Sequence, residues 1–432
     1  MTPVHAGILG LAVLVALMLV RIPVGFVMTL VGFAGFGFLV SWNASLNLLI
    51  RDFFSVFNSY NLTVIPLFVL MGQIAHYSGI SGRLFNSANK FLGHLPGGLA
   101  IATIGACAGF SAICGSTSAT AATMASVALP EMKKYQYDPA MATGVVAAGG
   151  SLGILIPPST IFIIYGIMTE QSVGKLFVAG ILPGILLTLF FVATIVLWTR
   201  TQPGICGRAP RATWRERFAS LAGVIETFIL FAVVMGGLFV GFFTPTESAA
   251  IGALGTIVIA FVGGNLRWRH MMNALQETTR ISCMIMVIVA GATVFGHFLA
   301  VTTIPTQIGT WAANLPLPPP VVIAIVIAVY LLLGCLMDSL AMIMLTIPIF
   351  FPVVVTLGYD PIWFGVIIVV VAEMGVVTPP IGINVFVVAG VARDVPLQTI
   401  FKGTTHMLAA LFAAAVLLIA FPEIALYLPR LM

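Results

Sequence analysis

Charge is what this chain lacks. Of its 432 residues 7% are Asp, Glu, Lys or Arg, while 60% are hydrophobic. A soluble globular protein is typically near 25% charged. So few charged groups cannot cover a water-soluble body of this size, so most of the surface must face lipid. The mean hydropathy of +1.15 agrees. Cysteine is also scarce. The five cysteines, at 107, 114, 206, 283 and 335, form no CxxC pair and lie mostly in apolar segments, which excludes a disulfide framework and a zinc site. There is no HExxH and no Walker A sequence. Gly109-Phe110-Ser111 has a faint likeness to an intramembrane serine nucleophile, but no base is placed beside it, so an enzyme is not expected. The net charge of +5 sits in short basic clusters between apolar runs, the habit of membrane-protein loops rather than of a nucleic-acid face.

What is present is a series of long apolar runs. Those long enough to span fall at about 4–20, 24–41, 61–80, 177–199, 221–242, 248–264, 281–300 and 404–422. The first is not a signal peptide: it has no basic segment ahead of it and no small-residue cleavage pattern after it, so a retained span is expected. Two more runs, 139–168 and 361–392, are interrupted by prolines. Two others, 97–130 and 318–352, carry Gly, Ser or Pro at their centres and read as re-entrant hairpins. Irregular backbone at membrane depth survives only where it is buried in protein or lines a cavity. The breaks are therefore where a site belongs.

The chain repeats itself. Tyr137-Asp138-Pro139 recurs as Tyr359-Asp360-Pro361, and the break ending in Pro157-Pro158 recurs as one ending in Pro379-Pro380. Pro130 pairs with Pro352 and Pro23 with Pro245, all at one offset of 222 residues (137 to 359). The sequence thus divides into a first repeat with its polar linker, 1–217, and a second repeat, 218–432. Each holds five spans and one hairpin. Five is odd, so the second repeat enters from the opposite side, and the expected fold is an all-α polytopic membrane protein of two inverted repeats. With the N-terminus outside, fifteen of the eighteen Lys and Arg, Arg21 among them, fall on inside loops, leaving Arg51, Lys175 and Arg430 outside. Two amphipathic stretches, 44–59 and 266–280, are expected to lie along opposite membrane surfaces, the plainer reading being simple connectors.

Four segments could carry chemistry. The first tip, Ser111-Ala112-Ile113-Cys114-Gly115-Ser116-Thr117-Ser118, offers hydroxyls, a sharp reversal and a helix N-terminus that favours an anion, though small residues also serve plain helix packing. The second tip carries Asp338-Ser339. A carboxylate deep in a bilayer costs about 2.5–3.5 kcal/mol on insertion scales, so Asp338 either lines a wet cavity or caps the hairpin helix. At the two Pro-Pro breaks, proline frees the carbonyls one turn earlier, and such carbonyls suit a dehydrated Na⁺. Glu373, at the place matching Ser151, is either an ion-linked group or a structural one. His76 and His297 read as satisfied structural histidines, and Glu247 as a helix cap.

The tip Ser111 to Ser116, the break Gly153-Ile154-Leu155-Ile156-Pro157-Pro158-Ser159, the second tip Asp338-Ser339-Leu340-Ala341 with Thr346-Ile347-Pro348, and Thr378-Pro379-Pro380-Ile381-Gly382-Ile383-Asn384 resemble the large membrane subunit of TRAP (tripartite ATP-independent periplasmic) transporters. Thr244-Pro245-Thr246-Glu247 fits as well, and the resemblance runs over essentially the whole chain. It implies an elevator fold of the ion-transporter superfamily in the bacterial inner membrane. It also implies Na⁺-driven uptake of a carboxylate, handed over by a periplasmic substrate-binding protein, with a small membrane subunit as partner. Because the chain starts at its first span, that partner is expected as a separate polypeptide. No cofactor is implied beyond Na⁺ as coupling ion, and no transition metal. One Na⁺ site would use Ser111, Cys114, Gly153, Ile156 and Pro157; the other Gly334, Gly375, Thr378 and Ile381. Many relatives carry Ser in place of Cys114, so a side-chain contact there is doubtful. The substrate cavity would be lined by Ser116, Thr117, Ser118, Asp338, Ser339 and Asn384. A binding-protein-independent Na⁺/carboxylate symporter of the same superfamily is the alternative.

The charge map places both termini in the periplasm. A reporter active only in the cytoplasm, fused after Met432, is expected to give no signal; activity there would refute the topology.

Overall fold

The computed structural model describes residues 2–20, 22–264, 266–314 and 316–432, and every regular element among them is helical. Arg21 lies outside the described residues. The first repeat runs α1 (Pro3–Leu19), α2 (Val24–Leu39), α3 (Trp42–Phe57), a 3-10 turn (Tyr60–Thr63), α4 (Val64–Tyr77), α5 (Ile80–Leu92), α6 (Gly98–Cys114), α7 (Thr117–Lys134), α8 (Pro139–Leu155), α9 (Thr160–Met168) and α10 (Val173–Thr201). The second runs α11 (Trp214–Phe239), α12 (Pro245–Val262), α13 (Trp268–Thr302), α14 (Ile304–Asn314), α15 (Pro319–Gly334), α16 (Ser339–Thr356), α17 (Pro361–Val377), α18 (Ile383–Val391), α19 (Leu397–Ala420) and the short α20 (Glu423–Leu426). Seven described helical segments are long and apolar enough to cross a membrane, or eight if the bent pair of α3 with the 3-10 turn and α4 counts as one. Five shorter apolar helices, α1, α2, α6, α15 and α17, accompany them.

The repeated sequence signals have local physical roles. In each Tyr-Asp-Pro the Asp is a helix N-cap and the Pro occupies the first turn, where its missing N–H costs nothing. Asp138 Oδ1 accepts from the N–H groups of Ala140 and Met141 at 2.9 and 3.2 Å, and Asp360 Oδ1 from those of Ile362 and Trp363 at 2.7 and 3.2 Å. Glu247 is the cap expected of it: Thr244 and Glu247 form a reciprocal capping box at the start of α12. The two expected hairpins are helix pairs, α6 with α7 and α15 with α16, and the two proline-broken runs are α8 with α9 and α17 with α18.

Two expectations change. The stretch 266–280 is no separate surface helix, because α13 continues unbroken for 35 residues through it. At 1.5 Å per residue it is about 50 Å long, well beyond a hydrocarbon core of about 30 Å. Of the two stretches, the first alone is a distinct amphipathic helix, α3, and it meets α4 at a bend of 51°. The sequence reading also passed over α5 and α14, two shorter helices that follow the third spans of their repeats.

Helices α8 and α17 form the centre and are buried along almost their whole length. Small residues let α19 pack onto α8 backbone to backbone: a Cβ on Gly144 would lie 2.4 Å from the Gly403 carbonyl carbon. The two repeats interlock through side chains as well. Asn384 Nδ2 donates to the Ala147 carbonyl at 3.2 Å, and Tyr165 Oη to the Pro361 carbonyl at 2.5 Å. At the surface Lys133 Nζ pairs with Asp394 Oδ2 at 2.5 Å, and that ammonium holds the Asp394 carboxyl below its ordinary pKa.

The Gly144–Gly403 contact predicts a sharp contrast between two glycine substitutions. Gly144→Ala forces two backbones apart and is expected to cost about 1–3 kcal/mol, read as a lowered thermal midpoint in detergent. Gly236→Ala, where a Cβ meets open space, is expected to stay within about 0.5 kcal/mol of the parent.

Candidate functional site

The first tip is tight because two residues do all the turning. Gly115 ends α6 with φ +63°, a left-handed conformation that a side chain would strain, and its N–H returns to the Ser111 carbonyl at 3.3 Å. Ser116 then caps α7, its hydroxyl accepting from the Ala119 N–H. This tip is pressed onto the first break. A Cβ on Gly115 would lie 2.6 Å from the Pro158 carbonyl oxygen, and one on Gly153 would lie 2.4 Å from that of Ser116. Thr160 Oγ1 donates to the Gly115 carbonyl at 3.2 Å, and Ser159 caps α9 through the Phe162 N–H. On the other side a Cβ on Gly72 of α4 would lie 2.7 Å from the Cys114 carbonyl oxygen.

The second tip repeats the plan with looser packing. A Cβ on Gly375 would lie 2.4 Å from the Gly334 carbonyl carbon, so α17 and α15 touch backbone to backbone where α17 ends. Ile381 N–H donates to the Cys335 carbonyl at 3.4 Å, Thr378 N–H to that of Gly375 at 3.1 Å, and Thr378 Oγ1 to that of Met374. Gly382 starts α18 at φ +55°. Both Pro-Pro bonds are cis. The first break is buried from Pro157 to Ser159, while Pro379, Pro380 and Ile381 are exposed.

Between the tips lies a cavity of about 230 Å³. It is reached by Ser116, Thr117 and Ser118 from the first tip, Thr160 from the break, and Asp338 and Ser339 from the second tip. Helices α4 and α13 close it through Gly72, Gln73, Met284 and Ile285. Three helix N-termini, those of α7, α9 and α16, therefore converge on one space. Each presents backbone N–H groups and the positive end of its dipole, and together they suit an anion. Among the described residues its lining contains no Lys, Arg or His. Asp338 combines both roles considered for it: it lines the cavity and caps α16, Oδ2 accepting from the Leu340 N–H at 3.1 Å.

The two residue sets suggested for Na⁺ are each brought together. In the first, Ser111 Oγ is fully buried without a hydrogen-bond partner; Cys114 and Gly153 sit at the tip contact, and Ile156 and Pro157 follow in the break. In the second, Gly334, Gly375, Thr378 and Ile381 meet through the contacts given above. Asn384 differs from expectation. It is buried against α8 and is absent from the cavity lining, because α18 turns its first residues toward the Ala147 carbonyl. Sequence reasoning missed Gln73, whose signal was a lone carboxamide in the apolar run of α4. His76 and His297 are partnered as expected, with Thr123 Oγ1 at 2.5 Å and Asp52 Oδ2 at 3.3 Å. Glu373 is fully buried, and neither carboxyl oxygen has a partner.

Known proteins match this chain over most of its length. The family described as tripartite ATP-independent periplasmic transporter, DctM component, matches residues 11–424. The C4-dicarboxylate TRAP transporter large permease protein DctM of Pseudomonas aeruginosa is 38% identical over 378 residues, covering 87% of this chain and 88% of that one. The isethionate TRAP transporter permease protein DctMQ of Oleidesulfovibrio alaskensis is 34% identical over 87% of this chain but only 59% of its own length. Among solved structures, the YdaH transporter of Alcanivorax borkumensis superposes with a TM-score of 0.63 at 16% identity, covering 88% of this chain and 89% of that one, a likeness of fold.

Replacing Asp338 separates its cap from its charge. Asp338→Asn keeps an acceptor for the Leu340 N–H and is expected to leave the thermal midpoint nearly unchanged, whereas Asp338→Ala is expected to cost about 1 kcal/mol.

Proposed function

Because the chain belongs to the DctM-component family of TRAP transporters and is a large permease subunit of that kind, we propose that it takes up an organic carboxylate or a similar small anion, driven by Na⁺. It works in the bacterial inner membrane with a small membrane subunit and a periplasmic binding protein that delivers the substrate. The observation that carries this reading is the convergence of three helix N-termini and a row of hydroxyls on a 230 Å³ cavity that, among the described residues, has no basic side chain. A small anion can be held there by backbone N–H groups and hydroxyls, with Na⁺ at the neighbouring breaks supplying counter-charge. The named relatives carry anions of different chemistry, a C4-dicarboxylate and a sulfonate, so the hydroxyl-lined cavity is read as selective for charge and size.

Na⁺ is itself cargo in this scheme. Ser111 Oγ with the Cys114, Gly153, Ile156 and Pro157 backbone would hold one ion, and Thr378 with the Gly334, Gly375 and Ile381 backbone the other. The hairpins α6–α7 and α15–α16 move with the broken pairs α8–α9 and α17–α18 as one body, because Asn384, Tyr165 and Lys133 tie the two repeats within that body. Helices α4 and α13, which close the cavity from outside, belong to the frame past which it slides, carrying the cavity from one face of the membrane to the other.

Proteoliposomes containing the membrane subunits, with the binding protein added outside, test this. Thr378→Ala is expected to raise the Na⁺ concentration for half-maximal uptake roughly 5- to 30-fold, the loss of about 1–2 kcal/mol from one ligand. An unchanged Na⁺ dependence would remove Thr378 from the site, and uptake that persists without binding protein would favour a free-standing symporter.

A further inference from the structure

The polar lining of the 230 Å³ cavity divides by where it is anchored. Ser116, Thr117, Ser118, Thr160, Asp338 and Ser339 all lie on the two tips and the first break, and so on the body that is read as moving. From the frame, α13 contributes Ile281, Met284 and Ile285, and α4 contributes Val69, Gly72 and Gln73. Among the described residues Gln73 is therefore the one polar side chain that the frame places at the cavity. It is half-buried, and its carboxamide has no hydrogen-bond partner among the described residues. A carboxamide carries two N–H donors and an acceptor, and leaving them unmet on an apolar helix is costly unless water or a ligand in the cavity meets them.

Helix α4 is held on two sides. Toward the frame, the Tyr77 ring stacks on that of His270 of α13 at 5.6 Å, and a Cβ on Gly252 of α12 would lie 2.5 Å from Met71 Sδ. Toward the moving body, α4 touches the first hairpin twice. A Cβ on Gly72 would lie 2.7 Å from the Cys114 carbonyl oxygen, and His76 Nδ1 is in hydrogen-bond contact with Thr123 Oγ1 at 2.5 Å. Gly72 and His76 are one helical turn apart and share a face, and Gln73 follows Gly72 directly. This notch fixes the height of α4 against the first tip, and with it the reach of Gln73 into the cavity. When the body slides, its hydroxyls travel with the substrate and Gln73 stays behind.

Resting on the reading of this cavity as the substrate site, we propose that Gln73 is a substrate-contact residue supplied by the frame. Its Nε2 donates to an oxygen of the bound anion only while α4 is docked on the first tip. The substrate is then held more tightly in this docked arrangement than after the slide. A ligand biases two states only by its differential affinity for them, and Gln73 supplies that difference.

Proteoliposomes containing the membrane subunits and the binding protein test the contact, with succinate and isethionate as probes. Gln73→Leu is expected to raise the half-saturating probe concentration roughly 10-fold in one direction of transport, entry or exit, and less than about 2-fold in the other, with Gln73→Asn restoring most of the loss. Equal shifts in both directions, or none, would overturn the proposal. Thiol labelling of the purified protein in detergent tests the placement without a substrate. Both faces are accessible there, so a thiol that travels with the cavity reacts in either state, and one on the frame only in the docked state. In a Cys114→Ser/Cys335→Ser background, Gly72→Val fills the notch, and Thr123→Val more gently removes the bond to His76. Either is expected to slow the reaction of Gln73→Cys with 2-sulfonatoethyl methanethiosulfonate, Gly72→Val at least about 5-fold, and that of Ser118→Cys less than about 2-fold. Equal slowing at both positions, or none at either, overturns the proposal. If the parent carries neither probe, the functional reading is what fails that test, and the labelling alone upholds or overturns the placement of Gln73.

Discussion

Every break in a helix at membrane depth strands backbone groups that water cannot reach, and the architecture is arranged around satisfying them. The first break shows how. The carbonyls and N–H groups around Pro157 and Pro158 are covered by the tip of the first hairpin, which Gly115 and Gly153 bring to contact distance. Thr160 and Ser159 then supply hydroxyls to a carbonyl and an N–H that no helix serves. The second break uses Gly334, Gly375 and Thr378 for the same task. A hairpin tip is thus the cover of a broken helix as well as one wall of the cavity, and neither could be removed without exposing the other's backbone.

That constraint explains why the centre is so poor in bulky side chains at its crossings. Helices α8 and α19 approach until a Cβ on Gly403 would lie 1.9 Å from the Ala140 carbonyl oxygen, a distance only glycine permits. Lipid gives no hydrophobic drive for helices to associate, so close backbone contact and buried hydrogen bonds must hold them together. The bonds from Asn384 to Ala147 and from Tyr165 to Pro361 both cross between repeats, so the two broken pairs form one unit.

The same reasoning separates polar groups by their partners. Asp138, Asp360 and Glu247 spend their carboxylates on helix N-termini. Ser111 and Glu373 are buried with polar atoms unpaired. The Ser111 hydroxyl lies on the hairpin that walls the cavity, where ions and substrate are proposed to pass. Unpaired polar atoms in so apolar a protein mark places where something beyond the chain completes the structure.

Much of this was legible in the sequence because membrane burial leaves a strong signature. Apolar runs of span length, the Pro-Pro interruptions and the single 222-residue offset located both hairpins and both broken pairs to within a few residues, since each signal is local. The Tyr-Asp-Pro repeats marked two helix starts, because an Asp before Pro caps a helix through bonds to its own neighbours. Tertiary structure alone decided which polar residues share a space. Gln73 joins the cavity and Asn384 leaves it because side-chain direction depends on how α4 and α18 rotate against distant helices. The unbroken α13 likewise follows from packing between segments far apart in the chain, which no local pattern records.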